Sequence, residues 1–239
     1  MPMDSARILR RNSWPDQATD TTSSAVQVAL TRTAAGHSVL LIDADRQGSA
    51  QTAATMRLEA GRTPALACVP LADARLLRAQ LEPLAAKHDD TIIDAGGPDN
   101  EALRAAMRRS DLPVMPMQPG ADVWSLTDAA ELVDQVEEAR QDDRRGPLRV
   151  VAVINLANPG HTRDSAETIE ALNSFTQFPT IAPVIRRRKP IANAMAHGAA
   201  VTELMPRDPE AVEEISQLVS NLFDVTEVAQ GNHTAIEAK

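Results

Sequence analysis

The chain reads as an α/β protein: a doubly wound, mostly parallel sheet with helices on both faces. Three observations predict it. VLLID at 39–43, TIIDAGG at 91–97 and RVVAVINL at 149–156 are continuous apolar runs rather than alternating ones. Such runs suit strands buried on both faces, as in a parallel sheet. Segments with helical periodicity separate them, the order expected of βαβ units.

In chain order, residues 1–23 are polar and poorly patterned, with a faint strand around 6–11 interrupted by Arg10 and Arg11. From Ala25 to Ala35 the pattern is helical, with Val26, Leu30 and Thr33 on one side and Gly36 placed to end it. After the 39–43 run, 48–60 reads as a helix and LACVP at 66–70 as a short strand. Residues 71–87 form a helix with Leu76, Leu77, Leu81 and Leu84 as its stripe. The 91–97 run and a helix at 99–109 follow. LPVMPM at 112–117 is a strand whose two prolines predict an edge position or a short length. A long helix spans 122–140, then come the 149–156 strand, a helix at 163–174 and a last strand at 179–185. Helices at 190–198 and 208–223 complete the pattern. This gives a segment 1–23, a folded domain 24–223 and a polar tail 224–239.

Bulk composition narrows the function. The 239 residues carry a formal charge of −9, so a bulk DNA binder is not expected, although a local basic patch remains compatible. Aromatics are only 2%, too few for a base-stacking platform. Cys68 is the one cysteine, so no disulfide framework or cysteine zinc site is available, and a reducing compartment is expected. No apolar run approaches the roughly 20 residues of a membrane span. The start has no apolar core of a secretory signal, which makes cytoplasm the expectation and a membrane partner not. The five histidines have no metal-ligand spacing, Ser49 has no histidine at motif distance, and Trp124 reads as packing.

Ligands of doubly wound sheets sit beyond the carboxyl ends of the strands, which singles out Asp43, Asp45, Asp94 and Asn155. In LLIDADRQGS, 40–49, the two acids are either an acidic turn capping the next helix or carboxylates that orient water or magnesium beside a phosphate. In TIIDAGGPDN, 91–100, an apolar strand ends in an acid, the pattern of a magnesium-holding aspartate. Gly96 and Gly97 after it allow backbone amides to approach a phosphate and to move when it leaves.

These two blocks, the stretch EALRAAMRRSDLPVMPMQPGADVWSL at 101–126 and IRRRKPIANAMAHGAAVTEL at 185–204 resemble the ParA/MinD superfamily of deviant Walker ATPases. The similarity is to the small plasmid-partition ParA proteins and runs over about 21–223, with its blocks in family order. It implies a P-loop NTPase fold, ATP/ADP and Mg2+ as cofactors, a homodimer, a centromere-binding ParB-like partner, nonspecific DNA and a cytoplasmic, nucleoid-associated life. It makes Asp45 the switch I catalytic residue that positions attacking water, Asp43 a support of the magnesium shell and Asp94 the Walker B metal residue. Thr22 also reaches the metal. Thr21, Thr22, Gly97 and Asn155 border the nucleotide, Asn155 near the adenine. Basic C-terminal residues bind DNA in the family, and Arg186, Arg187, Arg188 and Lys189 match them, with Arg144 and Arg145 as possible helpers; a solvated charge run is the alternative. Arg46 replaces the family proline of switch I, and Ala95 stands where Thr or Ser is common.

The family loop KGGxGKTT falls on DQATDTTS, 16–23, where only Thr22 survives. Thr21 stands at the phosphate-binding lysine and Asp16 at the signature lysine; Gln17, Ala18 and Asp20 replace the glycines. Glycine lets amides wrap a phosphate and lysine neutralises it, whereas Asp16 and Asp20 repel a triphosphate. Either the chain is a degenerate paralogue, or its N-terminus is altered by a frameshift or misassigned start, which the abruptness of the change mildly favours. Three functions follow: a ParA-like partition ATPase, a non-hydrolysing pseudo-ATPase that binds DNA or a partner, or a metabolic P-loop enzyme. The last lacks a recognisable acceptor motif.

Overall fold

The computed structural model of the protein describes residues 5–10, 20–96, 101–120, 123–181 and 183–234, with 5–10, 20–21, 123–125 and 224–234 described by backbone alone. Seven strands form one sheet: β1 (Ser5–Arg10), β2 (Val39–Asp43), β3 (Ala67–Pro70), β4 (Asp90–Ala95), β5 (Leu112–Met117), β6 (Val151–Ile154) and β7 (Thr180–Ile181). Their order is β3-β2-β4-β1-β5-β6-β7, and every pair is parallel.

The helices are α1 (Asp20–Ala34), α2 (Ser49–Glu59), α3 (Ala74–Ala85), α4 (Glu101–Arg109), α5 (Val123–Asp142), α6 (Thr162–Leu172), α7 (Lys189–Ala196) and α8 (Pro209–Thr234). Strand alternation sorts them into two layers. Leu40, Ile42, Ile93 and Met115 pack with α3, α4, α5 and α6. Their sequence neighbours Leu41, Ile92 and Val114 pack with α1, α2, α7 and α8. Successive strand residues point to opposite faces, so a run such as VLLID serves both cores at once.

The structure corrects five sequence expectations. The faint N-terminal strand is β1, central in the sheet and paired with β4 on one side and β5 on the other. Those neighbours hold their own amides and carbonyls toward the slot, and a strand there satisfies both rows. LPVMPM is interior, not an edge. Pro113 precedes the first residue of β5 registered with β6, and Pro116 follows the last one registered with β1. Each proline's missing N–H therefore falls where one neighbour is unpaired. The last strand shrinks to Thr180–Ile181, followed by a single bridge between Ala157 and Arg186. Leu76 stays 43% exposed and leaves the α3 stripe to Leu77 and Leu81. Finally, α1 starts at Asp20, across the expected boundary at 23, and α8 continues to Thr234, into the expected tail. No described helix is long and apolar enough to cross a membrane.

Local chemistry explains several ends. Asp73 caps α3 by accepting from the amides of Arg75 and Leu76, both at 2.9 Å. Gly36 leaves α1 at φ +93°, a conformation open to glycine at low cost. Buried Arg140 of α5 donates to the carbonyls of Arg108 at 2.8 Å and Ser110 at 2.9 Å, closing the end of α4. Behind the sheet, Arg57 of α2 is fully buried, donates to Glu203 at 2.8 and 3.0 Å, and also reaches the carbonyls of Pro64 and Gly198. Gln27 of α1 brackets the same segment, donating to the Ala199 carbonyl and accepting from the Val201 amide.

Candidate functional site

The chain order reverses beside β1: α1 leads from it toward β2 on one side, and the crossover from β4 leads to β5 on the other. The carboxyl ends of β1, β4 and β5 flank that switch point, where doubly wound sheets place their ligands. Asp43 and Asp94 sit there in direct register on β2 and β4, and Leu9 of β1 is registered with Asp94 on its other side. Alternation puts both carboxylates on the α1 face, since Leu41 and Ile92, two residues earlier, pack there. Both acids are buried, Asp43 at 0% and Asp94 at 1% exposure.

Their environments differ. Asp43 accepts from the Asp45 amide at 3.1 Å on one oxygen and from the Gln51 amide at 2.9 Å on the other. Gly48, the cap residue of α2, is left-handed and offers no side-chain acceptor, so Asp43 supplies it from the strand end. Burial raises the Asp43 pKa above the ordinary carboxylate value and outweighs the amide bonds; the Asp45 charge pushes the same way. Asp43 thus anchors the turn and starts the helix, the capping role that the sequence offered for this acidic pair.

Asp45 bends over the end of β4. Its Oδ1 accepts from the Gln47 amide at 3.0 Å. Its Oδ2 lies 2.1 Å from where a Cβ on Gly96 would stand. Only a glycine lets the two strand-end loops meet this closely. The Ala44 amide donates to the Asp94 carbonyl at 2.8 Å, so the loops are joined through the backbone as well.

From the opposite side comes α1, and Thr22 in its first turn is fully buried. The Thr22 Oγ1 has no hydrogen-bond partner among the described residues. Two residues later Ser24 donates to the Asn155 Oδ1 at 3.2 Å, and the Asn155 backbone amide donates to the Met117 carbonyl at 2.8 Å. This bridge fixes α1 against the end of β6. Sequence offered no signal for it, because the two residues are 131 apart. Cys68 of β3 shares this face; burial, with the charges of Asp43 and Asp94 adding to it, pushes its thiol up to about 12, so it stays protonated.

An orphan buried hydroxyl on α1 and a buried carboxylate at the end of β4 are oxygen donors of the kind a hard divalent cation takes. The metal side of a nucleotide site therefore fits the residues present. The phosphate side rests on 16–19, and this stretch, the Thr21 and Trp124 side chains and Gly97 lie outside the described residues.

The basic run lies further along the same edge. Arg186 bridges to Ala157, just past β6, and Arg187, Arg188 and Lys189 lead into α7. Arg144 and Arg145 do not join them: they end α5 ahead of β6, at the opposite end of the sheet, where Arg145 pairs with Glu82.

No family model and no curated protein sequence matches the chain. Solved structures do. MinD of Pyrococcus horikoshii, solved with Mg-ADP, is 17% identical over 95% of this chain and 98% of that one, with a TM-score of 0.65. McdA of Cyanothece in complex with ATP is 16% identical over 93% and 97%, at 0.66. A putative plasmid partition protein of Borrelia burgdorferi B31, bound to AMPPNP, is 17% identical over 92% and 98%, at 0.63. The fold is that of the MinD/ParA-type P-loop ATPases.

Proposed function

We propose that the chain is a ParA/MinD-superfamily protein that positions a plasmid, a chromosome region or other cargo. In this reading it binds ATP with Mg2+, closes as a homodimer, contacts nucleoid DNA nonspecifically in the cytoplasm and answers to a ParB-like centromere-binding partner. The observation that carries the reading is the seat of Asp45 on Gly96, each two residues past the registered pair Asp43 and Asp94. It joins the two loops that a γ-phosphate sensor must couple. The nucleotides bound to the MinD, McdA and partition-protein neighbours support the same ligand class here.

Thr22 and Asp94 would hold the magnesium, and Asp43 would keep the switch I turn in place. Thr21 and Gly97 would border the phosphates and Asn155 the adenine. Asp45 would orient the attacking water. The magnesium nucleotide, when bound, supplies the γ-phosphate and neutralises its charge. Measuring ATP binding and hydrolysis in the full chain, with and without DNA and magnesium, tests this; absence of nucleotide binding overturns the enzymatic reading.

One observation favours a second reading. Asp16, Gln17, Ala18, Asp20 and Thr21 occupy positions where the family places lysines and glycines. Under that reading the chain is a non-hydrolysing pseudo-ATPase that keeps the fold and a DNA or partner surface. Grafting KGGVGKTT onto 16–23 separates the two: the intact chain binds nucleotide under the first, and only the graft does under the second.

A further inference from the structure

The basic run does not face solvent as a simple patch. Glu214 of α8, only 7% exposed, sits beneath it. Its Oε1 accepts from the Arg186 guanidinium at 2.7 Å and from that of Arg188 at 3.0 Å, and its Oε2 accepts from the Arg186 amide at 3.0 Å. Glu210, one turn earlier and 73% exposed, adds a second carboxylate to Arg188 at 2.6 Å. Arg188 itself is only 14% exposed, whereas Arg187 and Lys189 are exposed. Burial opposes the Glu214 charge, but the bonds from Arg188 and Arg186 prevail and hold its carboxyl below the usual range; Glu214 is an anion at neutral pH.

We propose that Glu214, assisted by Glu210, is a built-in counter-anion that occupies Arg186 and Arg188 in place of nucleic-acid phosphate, so that this loop meets DNA with those two guanidiniums already paired. The inference rests on the reading of this loop as a DNA contact and adds to it a residue that sets its strength. Phosphate affinity depends on how many fixed cations displace counterions, with a salt slope of about −0.9 per phosphate. A cation already paired with a fixed carboxylate contributes little until that pair opens. Separating Glu214 from the loop, by movement of α8 or by neutralising the acid, would add up to two phosphate contacts.

The test is binding of a short double-stranded DNA to the full chain across a salt series, comparing wild type, Glu214→Gln, Glu210→Gln and Arg187→Ala/Lys189→Ala. Glutamine at 214 still accepts from the Arg186 amide, and Glu210 is exposed enough that its substitution does not threaten folding; thermal melting checks both. The expected result is binding about tenfold tighter in Glu214→Gln at low salt, with a salt slope steeper by roughly one to two, a smaller gain in Glu210→Gln and loss in the double alanine variant. If that double variant loses binding while both glutamine variants match wild type, DNA contacts this loop but Glu214 does not limit it, and the inference fails alone. If wild type and both glutamine variants all fail to bind at low salt, the DNA reading fails and takes the inference with it.

Discussion

The carboxylate of Asp45 rests on the backbone of Gly96, its Oδ2 only 2.1 Å from the position of an added Cβ, and that contact joins the loop after β2 to the loop after β4. Gly96→Ala must therefore push Asp45 away. We expect a loss of about 1–3 kcal/mol, the usual cost of overpacking. Asp45→Ala removes the two nearest obstructing atoms and leaves only its Cβ, 2.6 Å from the added one, so the double variant should be more stable than the sum of the two single changes allows. Urea unfolding of the four proteins checks this; strict additivity would show that the contact is not tight.

Gly198→Ala should be more damaging. Gly198 has φ +56°, and its Cβ would meet the Arg57 nitrogen at 2.1 Å and the Ala53 carbonyl at 2.7 Å, both backbone atoms of α2. Neither can move without distorting the helix, so a loss of about 3 kcal/mol is expected, against a much milder effect at Gly36, where a Cβ meets nothing within 4 Å. Comparable denaturation midpoints for the two variants would contradict the packing described.

Arg57→Ala leaves Glu203 and two carbonyls without their buried partner and should cost about 3–5 kcal/mol. Arg57→Ala combined with Glu203→Gln should cost less than Arg57→Ala alone, because the stranded charge is gone. Thermal melting of the three variants measures it.

Acid should destabilise the fold through two carboxylates. Burial raises the Glu203 pKa, but the bonds from Arg57 and the Ala200 amide lower it further, below its ordinary 4.5. Glu214 is likewise depressed through Arg188 and Arg186. A depressed folded pKa gives stability that is present above the unfolded value and lost as pH falls through the folded one. Stability should therefore drop below about pH 4.5. Asp43, raised by burial, works the other way: its contribution is present at low pH and lost as pH rises through its folded value. Glu203→Gln with Glu214→Gln should flatten the acid limb of a urea-midpoint curve; an unchanged limb would mean that other groups control it.

The sequence made the sheet and both acidic strand ends legible because continuous apolar runs closing in Asp43 and Asp94 need no long-range information. What it hid depends on pairing. RILR, poor as an isolated strand, becomes β1 because two neighbours present open hydrogen-bonding edges to it. The prolines of β5 read as edge markers until register shows each facing an unpaired flank. Ser24 with Asn155, Arg57 with Glu203 and Arg186 with Glu214 are separated by 131, 146 and 28 residues, and no spacing rule connects them. The basic run was visible as charge, but its neutralisation from α8 was not.

Thr22 offers the most direct test of the proposed nucleotide role. Its buried Oγ1 has no partner among the described residues, so Thr22→Val should leave the ligand-free protein as stable as wild type or more so. If that hydroxyl serves magnesium, the same change must weaken magnesium-dependent ATP binding. The deciding measurement is calorimetric titration of ATP into the full chain, with and without magnesium, for wild type and Thr22→Val. The account predicts that wild type binds ATP only with magnesium and that Thr22→Val, equally stable, binds at least tenfold more weakly. Wild type failing to bind ATP with magnesium, or Thr22→Val binding it as well as wild type, would contradict it.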